Sequence, residues 1–231
     1  MHVDMCAEIG SNWCGSKEFA LAHILAAKES GADAVKFQLF RAASLYADLE
    51  RQLRAKPYEL PLEWLKELSQ YARGLGLQFI VTPFAVTLIP PLLDLLDAVK
   101  IAAFDIAFTD LIVAAAALHV PIILSTAMAT EEEIKDAWHV VRRQWGVMYS
   151  MRGEEWPEWS GHKPVPIIFL QGIAQYPARL EDQNLHSLKF LQLWSKHTGI
   201  SDHTIGHEAA VIATAMGGTW IEKHFRLEST P

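Results

Sequence analysis

Residues 199–225 read GISDHTIGHEAAVIATAMGGTWIEKHF, and this stretch sets the rhythm of the whole chain. A β-rich run (199–203) ends on Ser201, Asp202 and His203. A small, apolar segment with helical patterning (206–216) follows, and a second β-rich run (219–225) ends on Glu222, Lys223 and His224. Strand, helix and strand in this order form one βα unit of a parallel sheet. Working outward, the same alternation runs back to the N-terminus. Strands are predicted at 2–9, 34–40, 77–82, 98–103, 121–125 and 165–171. Helices are predicted at 17–29, 61–75, 86–96, 110–118, 131–144 after the N-cap Thr130, and 184–196; residues 41–56 form a polar connection. Eight strands with seven crossover helices predict an α/β fold, a closed (β/α)8 TIM barrel, because closure removes both sheet edges.

Length and composition agree with this architecture. The 231 residues suit one closed barrel, and 51% hydrophobic with 20% charged residues excludes a disordered chain. Twenty Lys and Arg against 27 Asp and Glu leave −7, so no basic face is offered to nucleic acid or anionic lipid. The richest apolar run, 88–99, contains Asp94 and Asp97 and is too short and too charged to span a membrane. Two cysteines, Cys6 and Cys14, without a secretory leader pattern place the chain in the reducing cytoplasm. Residues 1–231 read as a single barrel domain without its eighth helix. One stretch, 146–163 with Trp156 and Trp159, fits no βα rhythm. It precedes the sixth strand, which assigns it to the N-terminal face as a packed surface loop, with a partner contact as the alternative.

Polar residues gather at the C-terminal ends of the strands, where barrel enzymes assemble their sites. They are Glu8; Lys36 and Gln38; Thr82; Lys100 with Asp105; Ser125 and Thr126; Ser201, Asp202 and His203; and Glu222, Lys223 and His224. Lys36 and Lys100 interrupt runs that are otherwise apolar, and a buried ammonium must meet an anion. Either they form structural ion pairs with Glu8 or Asp105, or they clamp a phosphate or carboxylate with help from Thr82, Ser125 and Ser201. His203 and His224 end adjacent strands. They suit a divalent metal with open positions, or else are core histidines bonded to Asp202 and Glu222. His2, His23, His119, His139, His162, His186, His197 and His207 read as surface residues.

Several words of the sequence carry a resemblance. AEIGSNWCGS (7–16), GADAVKFQ (31–38), FIVTPF (79–84), VKIAAFDI (99–106), PIILSTAMAT (121–130), QYP (175–177), GISDHTIGHEAA (199–210) and IEKHF (221–225) resemble, in order, the N-acetylneuraminate (sialic acid) synthase family. The match spans nearly the whole chain, and the SDHT…EKHF pair is its most specific part. The resemblance implies a TIM barrel that condenses phosphoenolpyruvate with an N-acylated amino sugar such as N-acetylmannosamine, yielding a nonulosonic acid and phosphate. On that basis His203 and His224 would hold Mn²⁺, Mg²⁺ or Co²⁺. Lys36, Thr82, Lys100, Ser125 and Ser201 would hold phosphoenolpyruvate, while Gln38, Tyr176 and Asp105 would border the sugar. Glu8 and Asp105 would be rival proton-transfer groups, with His203 acting through the metal.

Departures from the family pattern are specific. Trp13 stands where the first motif commonly has His, Ala103 where a phosphate-binding Ser is usual, and Ala174 where Asn or Ser is usual; Ala127 replaces the usual Gly, and Asp105 stands where some members have Glu. The family's C-terminal antifreeze-like domain, which caps the partner subunit's site, is not in this sequence. A homodimer, or a partner chain replacing that cap, is the expected assembly. Two other readings remain: an aldol-type condensing enzyme with a different anionic donor, and a noncatalytic binding or assembly subunit.

Overall fold

The computed structural model describes residues 2–145 and 165–228, so the Trp156–Trp159 insertion lies outside the described residues. Eight parallel strands, β1 (Asp4–Gly10), β2 (Ala34–Leu39), β3 (Gln78–Pro83), β4 (Ala98–Ile101), β5 (Ile122–Ser125), β6 (Ile167–Gly172), β7 (His197–Asp202) and β8 (Trp220–His224), pair in sequence order and close into a barrel. The predicted fold class is the one observed.

Helices wrap the outside: α1 (Lys17–Glu29), α2 (Ala42–Leu45), α3 (Leu49–Ala55), α4 (Leu65–Gly74), α5 (Thr109–Ala116), α6 (Glu131–Gln144), α7 (Ser187–Leu191) and α8 (Glu208–Ala215). The start of α6 is fixed by a capping box, with the Thr130 side chain accepting from Glu133 N and the Glu133 carboxylate accepting from Thr130 N. Three predicted elements are corrected. The helix expected over 86–96 is two short 3₁₀ turns, Val86–Leu88 and Pro90–Leu92, because Pro90 and Pro91 remove donors and the backbone turns left-handed at Asp94. The helix expected over 184–196 shrinks to α7. There the Trp194 ring packs edge-on against Trp138 at 5.5 Å, and Ser195 Oγ donates to Ile167 O at 2.5 Å. The connection at 41–56 holds α2 and α3.

Strand parity sorts the side chains into an outer and an inner set. Odd-numbered residues of β2 and β3, such as Val35, Phe37, Phe79 and Val81, pack outward under the helices. Cys6, Ala34, Ile80, Ala98, Ile123, Ile168, Leu170 and Trp220 fill the barrel's own core. Trp220 packs so closely beside β7 that a Cβ at residue 199 would lie 1.7 Å from the Trp220 carbonyl oxygen, which is why Gly199 is glycine. One histidine read as superficial is not: His23 is fully buried, with Nδ1 2.7 Å from Phe19 O and Nε2 accepting from Leu227 N at 3.3 Å. Among the described residues, no helix is long and apolar enough to cross a membrane.

Candidate active site

One step along the inner face toward the C-terminal ends, the same strands turn polar. The inner positions Glu8, Lys36, Thr82, Lys100, Ser125, Ser201 and Glu222 are all buried. Each lies two residues beyond an apolar or small inner residue, so the strand period that builds the barrel core also stacks this layer above it.

Lys36 is its centre. Its ammonium lies 2.6 Å from Glu8 Oε2 and 3.7 Å from Glu222 Oε1, and donates to Thr82 Oγ1 at 3.2 Å. Burial alone would depress this lysine, but Glu222 and Glu8 outweigh it and hold the ammonium above its ordinary value. Glu8 Oε1 also accepts from Gln38 Nε2 at 3.1 Å. Glu222 Oε1 accepts from Ser201 Oγ at 2.9 Å, while its Oε2 is buried without a hydrogen-bond partner among the described residues. Burial pushes the Glu222 carboxyl upward, yet Lys36 and Lys100 pull it below the usual carboxylate range.

Lys100 is the less satisfied cation. Its hydrogen bond among the described residues is to the Ile101 carbonyl at 3.0 Å, and burial with repulsion from Lys36 lowers it despite Glu222 and Glu8. No ion pair joins it to Asp105, so only one of the two anticipated structural pairs, Lys36 with Glu8, is present among the described residues. Asp105 is half-buried with Oδ2 unpartnered; burial raises its carboxyl to about 6, against the opposing pull of Lys100.

At the rim, His203, His224 and Tyr176 cluster. The two imidazole centroids are 5.4 Å apart, and the phenol ring lies 4.1 Å from His203 and 5.4 Å from His224. His203 Nδ1 is 2.6 Å from the Ile173 carbonyl, which requires Nδ1–H there and leaves the Nε2 lone pair for the mouth, 3.3 Å from Ser201 Oγ. The core-histidine alternative placed Asp202 and Glu222 on these rings. Asp202 instead accepts from Lys223 Nζ at 2.8 Å and caps Thr204 N at 2.8 Å, and Glu222 reaches His203 only through Ser201. A backbone-oriented imidazole that turns its Nε2 lone pair to the mouth, beside a second, exposed imidazole, fits a divalent ion on chemical grounds. Among the described residues, no third His, Cys, Asp or Glu ligand atom joins them within metal-binding reach, and the group of three found there is His2, Asp4 and Asp33, at the opposite end of the barrel.

Ser125 lies on the inner face of β5 without a hydrogen bond to the others among the described residues. Trp13 points away from the mouth, buried and packed edge-on against Trp64 at 5.7 Å. Neighbouring Asn12 donates to Phe225 O at 2.8 Å and ties the end of β1 to the end of β8. The sequence reads Glu222 as a polar strand-end residue or the partner of a core histidine; the structure makes it a counter-ion of Lys36. Its even spacing from His224 was the signal that it shares the inner face with the histidine.

Residues 23–231 match the model of the NeuB family. The chain belongs to the NeuB family. It is 33% identical to the pseudaminic acid synthase of Helicobacter pylori over 97% of this chain and 66% of that protein. It is also 32% identical to the N,N'-diacetyllegionaminic acid synthase of Legionella pneumophila, over 97% of this chain and 64% of that protein. Among solved structures, the N-acetylneuraminic acid synthetase of Leptospira borgpetersenii, crystallised with citrate, superimposes with a TM-score of 0.85 at 27% identity, covering 99% of this chain and 74% of that one. The NeuB-family chain thus spans about two thirds of the length of the curated relatives it matches.

Proposed function

We propose that this chain is the condensing barrel of a synthase that joins phosphoenolpyruvate to an N-acyl amino sugar, forming a nonulosonic acid and releasing phosphate. The observation that carries this reading is the buried pair Lys36 and Lys100 beneath the His203–His224 rim: two cations at the floor and two imidazoles at the mouth of one barrel. Similarity to synthases of pseudaminic and legionaminic acids supports the same chemistry.

Lys36 is already offset by Glu8 and Glu222, so Lys100, with spare donors and no close carboxylate, contributes most of the attraction for the donor's anionic groups. Thr82, Ser125 and Ser201 add hydroxyl donors. Gln38, Asp105 and Tyr176 border the acceptor. A divalent ion held by His203 and His224 would supply Lewis-acid polarisation of the sugar's open-chain aldehyde. Carbon–carbon bond formation runs from C3 of the enolpyruvate to that aldehyde carbon, whose oxygen takes up a proton. Water then adds at C2 and the C2–O bond breaks, expelling phosphate and leaving the 2-oxo acid. Asp105, half in water and raised toward neutrality, is placed to accept the water's proton; Glu8, pinned by Lys36 and Gln38, orients the acceptor.

Incubation with Mn²⁺, phosphoenolpyruvate and N-acetylmannosamine or other N-acyl hexosamines is expected to release phosphate only when a sugar is present, and His203→Ala to abolish the release. Mn²⁺ binding without phosphate release for any sugar would overturn the reading. A second reading rests on Ala103 and Ala174, which leave the donor site without two polar partners. Each missing charge-assisted bond is worth about 1.5–3 kcal/mol, which favours a pyruvate-like carboxylate donor. Product formed from pyruvate, with phosphate failing to compete, would select it.

A further inference from the structure

The outer faces of β7 and β8, turned away from the mouth, carry an ion pair that the proposed chemistry does not use. Ile200 and Ile221 pair in register and pack outward under the helices. Two residues further on, on the same faces, stand Asp202 and Lys223. They too are cross-strand neighbours, with Lys223 Nζ 2.8 Å from Asp202 Oδ2, and the Asp202 side chain is wholly buried. Their other hydrogen bonds run to a single residue. Thr204 donates to Asp202 Oδ1 from its N at 2.8 Å and its Oγ1 at 2.7 Å, and Thr204 O accepts from Lys223 Nζ at 2.9 Å. Asp202 and Thr204 flank His203, and Lys223 immediately precedes His224. The His203 carbonyl itself accepts from Ala178 N at 2.9 Å, which joins the Tyr176 loop to the same knot.

We infer that Asp202 and Lys223 are positioning residues, a brace on the outside of the barrel that fixes the spacing of the two rim imidazoles for a divalent ion. This inference rests on the metal-assisted reading above. Cohesion does not require the pair, because two apolar side chains in register would continue the Ile200–Ile221 packing without the cost of burying charge. What the charges add is direction: the backbone on both sides of His203 is tied through one ammonium to the residue before His224. Two histidines joined by no third ligand among the described residues give an ion few anchors, so its affinity depends on both rings being in place before it arrives. The Ile173 carbonyl sets the rotation of the His203 ring, and the brace sets where the strand carries it.

The test is Mn²⁺ titration of the full chain, with free Mn²⁺ read by electron paramagnetic resonance and with Tm and phosphate release recorded for each variant. Asp202→Asn keeps an acceptor for Thr204 N but loses the pair, and Lys223→Gln loses it from the other side. Each is expected to weaken Mn²⁺ binding about tenfold. The double variant is expected to weaken it by about the same factor rather than by the product, since both changes break one link. Lys223→Arg is expected to recover most of the affinity. Arg73→Gln, which breaks the pair with Asp97 ahead of β4, measures general loosening and is expected to leave Mn²⁺ binding unchanged. Wild-type affinity in a folded Asp202→Asn chain, factors that multiply in the double variant, or an equal loss in Arg73→Gln overturns the inference. A wild type that binds no Mn²⁺ overturns it too, and removes the metal from the proposed function. Affinities that respond as expected without phosphate release for any sugar leave the brace standing and remove the condensing reading instead.

Discussion

Two layers of the barrel interior, one strand period apart, obey opposite rules. The lower layer, with Ile80, Ala98, Ile123 and Trp220, is held by close packing. The layer above it, with Glu8, Lys36, Lys100 and Glu222, is held by charges that must be matched atom by atom. Register places them side by side: Lys36 pairs with Ile80 across β2 and β3, and Cys6 pairs with Glu222 across β1 and β8. Packing tolerates approximate volume and punishes overlap, whereas a buried charge tolerates changes of volume and punishes the loss of its counter-ion.

The largest effect is expected where packing leaves no room. Gly199→Ala would place a methyl group 1.7 Å from the Trp220 carbonyl oxygen, and both groups belong to paired strands that cannot part without opening the barrel. The expected cost exceeds about 4 kcal/mol, seen as insoluble protein or a Tm lowered by more than about 10 °C. A variant that melts like wild type would show that β7 and β8 separate easily and that the lower layer is not tightly packed.

The next contrast sets the two layers directly against each other with the same incoming side chain. Lys36→Met strands Glu8 and Glu222 as buried carboxylates and should cost about 3–5 kcal/mol in urea unfolding. Ile80→Met, on the neighbouring strand, conserves volume and should cost less than about 1.5 kcal/mol. Equal losses would mean that Lys36 contributes bulk rather than charge.

Much of this organisation is legible in the chain itself, for identifiable reasons. Strands and their inner faces follow from a period of two, so Lys36, Lys100, His203 and His224 could be singled out as polar residues in apolar runs. The ion pair of Lys36 with Glu8 was one of two alternatives written into their strand-end positions. What escaped depends on groups without a sequence signature. The Ile173 carbonyl that orients His203 is backbone, and backbone partners are set by the path of a loop. The Pro90–Pro91 pair interrupts the helix expected over 86–96 and leaves short 3₁₀ turns in its place. His23 looked superficial on its helix because the residues that bury it, Phe225 and the segment to Leu227, come from the far end of the chain.

The smallest expected effect probes the upper edge of the polar layer, where burial is incomplete. Asp105 has its carboxyl raised to about 6, chiefly by burial and in spite of Lys100. Between its unfolded value near 4 and this folded value, the native state binds more protons than the unfolded chain, so stability contributed at this position falls as pH rises through that window. Above it the ionised carboxylate is a constant penalty, shared with solvent because the side chain is only half-buried. Asp105→Asn removes the titration. Its Tm relative to wild type should therefore climb between pH 4 and pH 6 and level off above, by about 2–4 °C in total. A difference that stays flat across this range would place Asp105 in bulk water and release it from the proton-accepting role, whereas a difference that falls with pH would mean that Lys100 stabilises the carboxylate more than burial destabilises it.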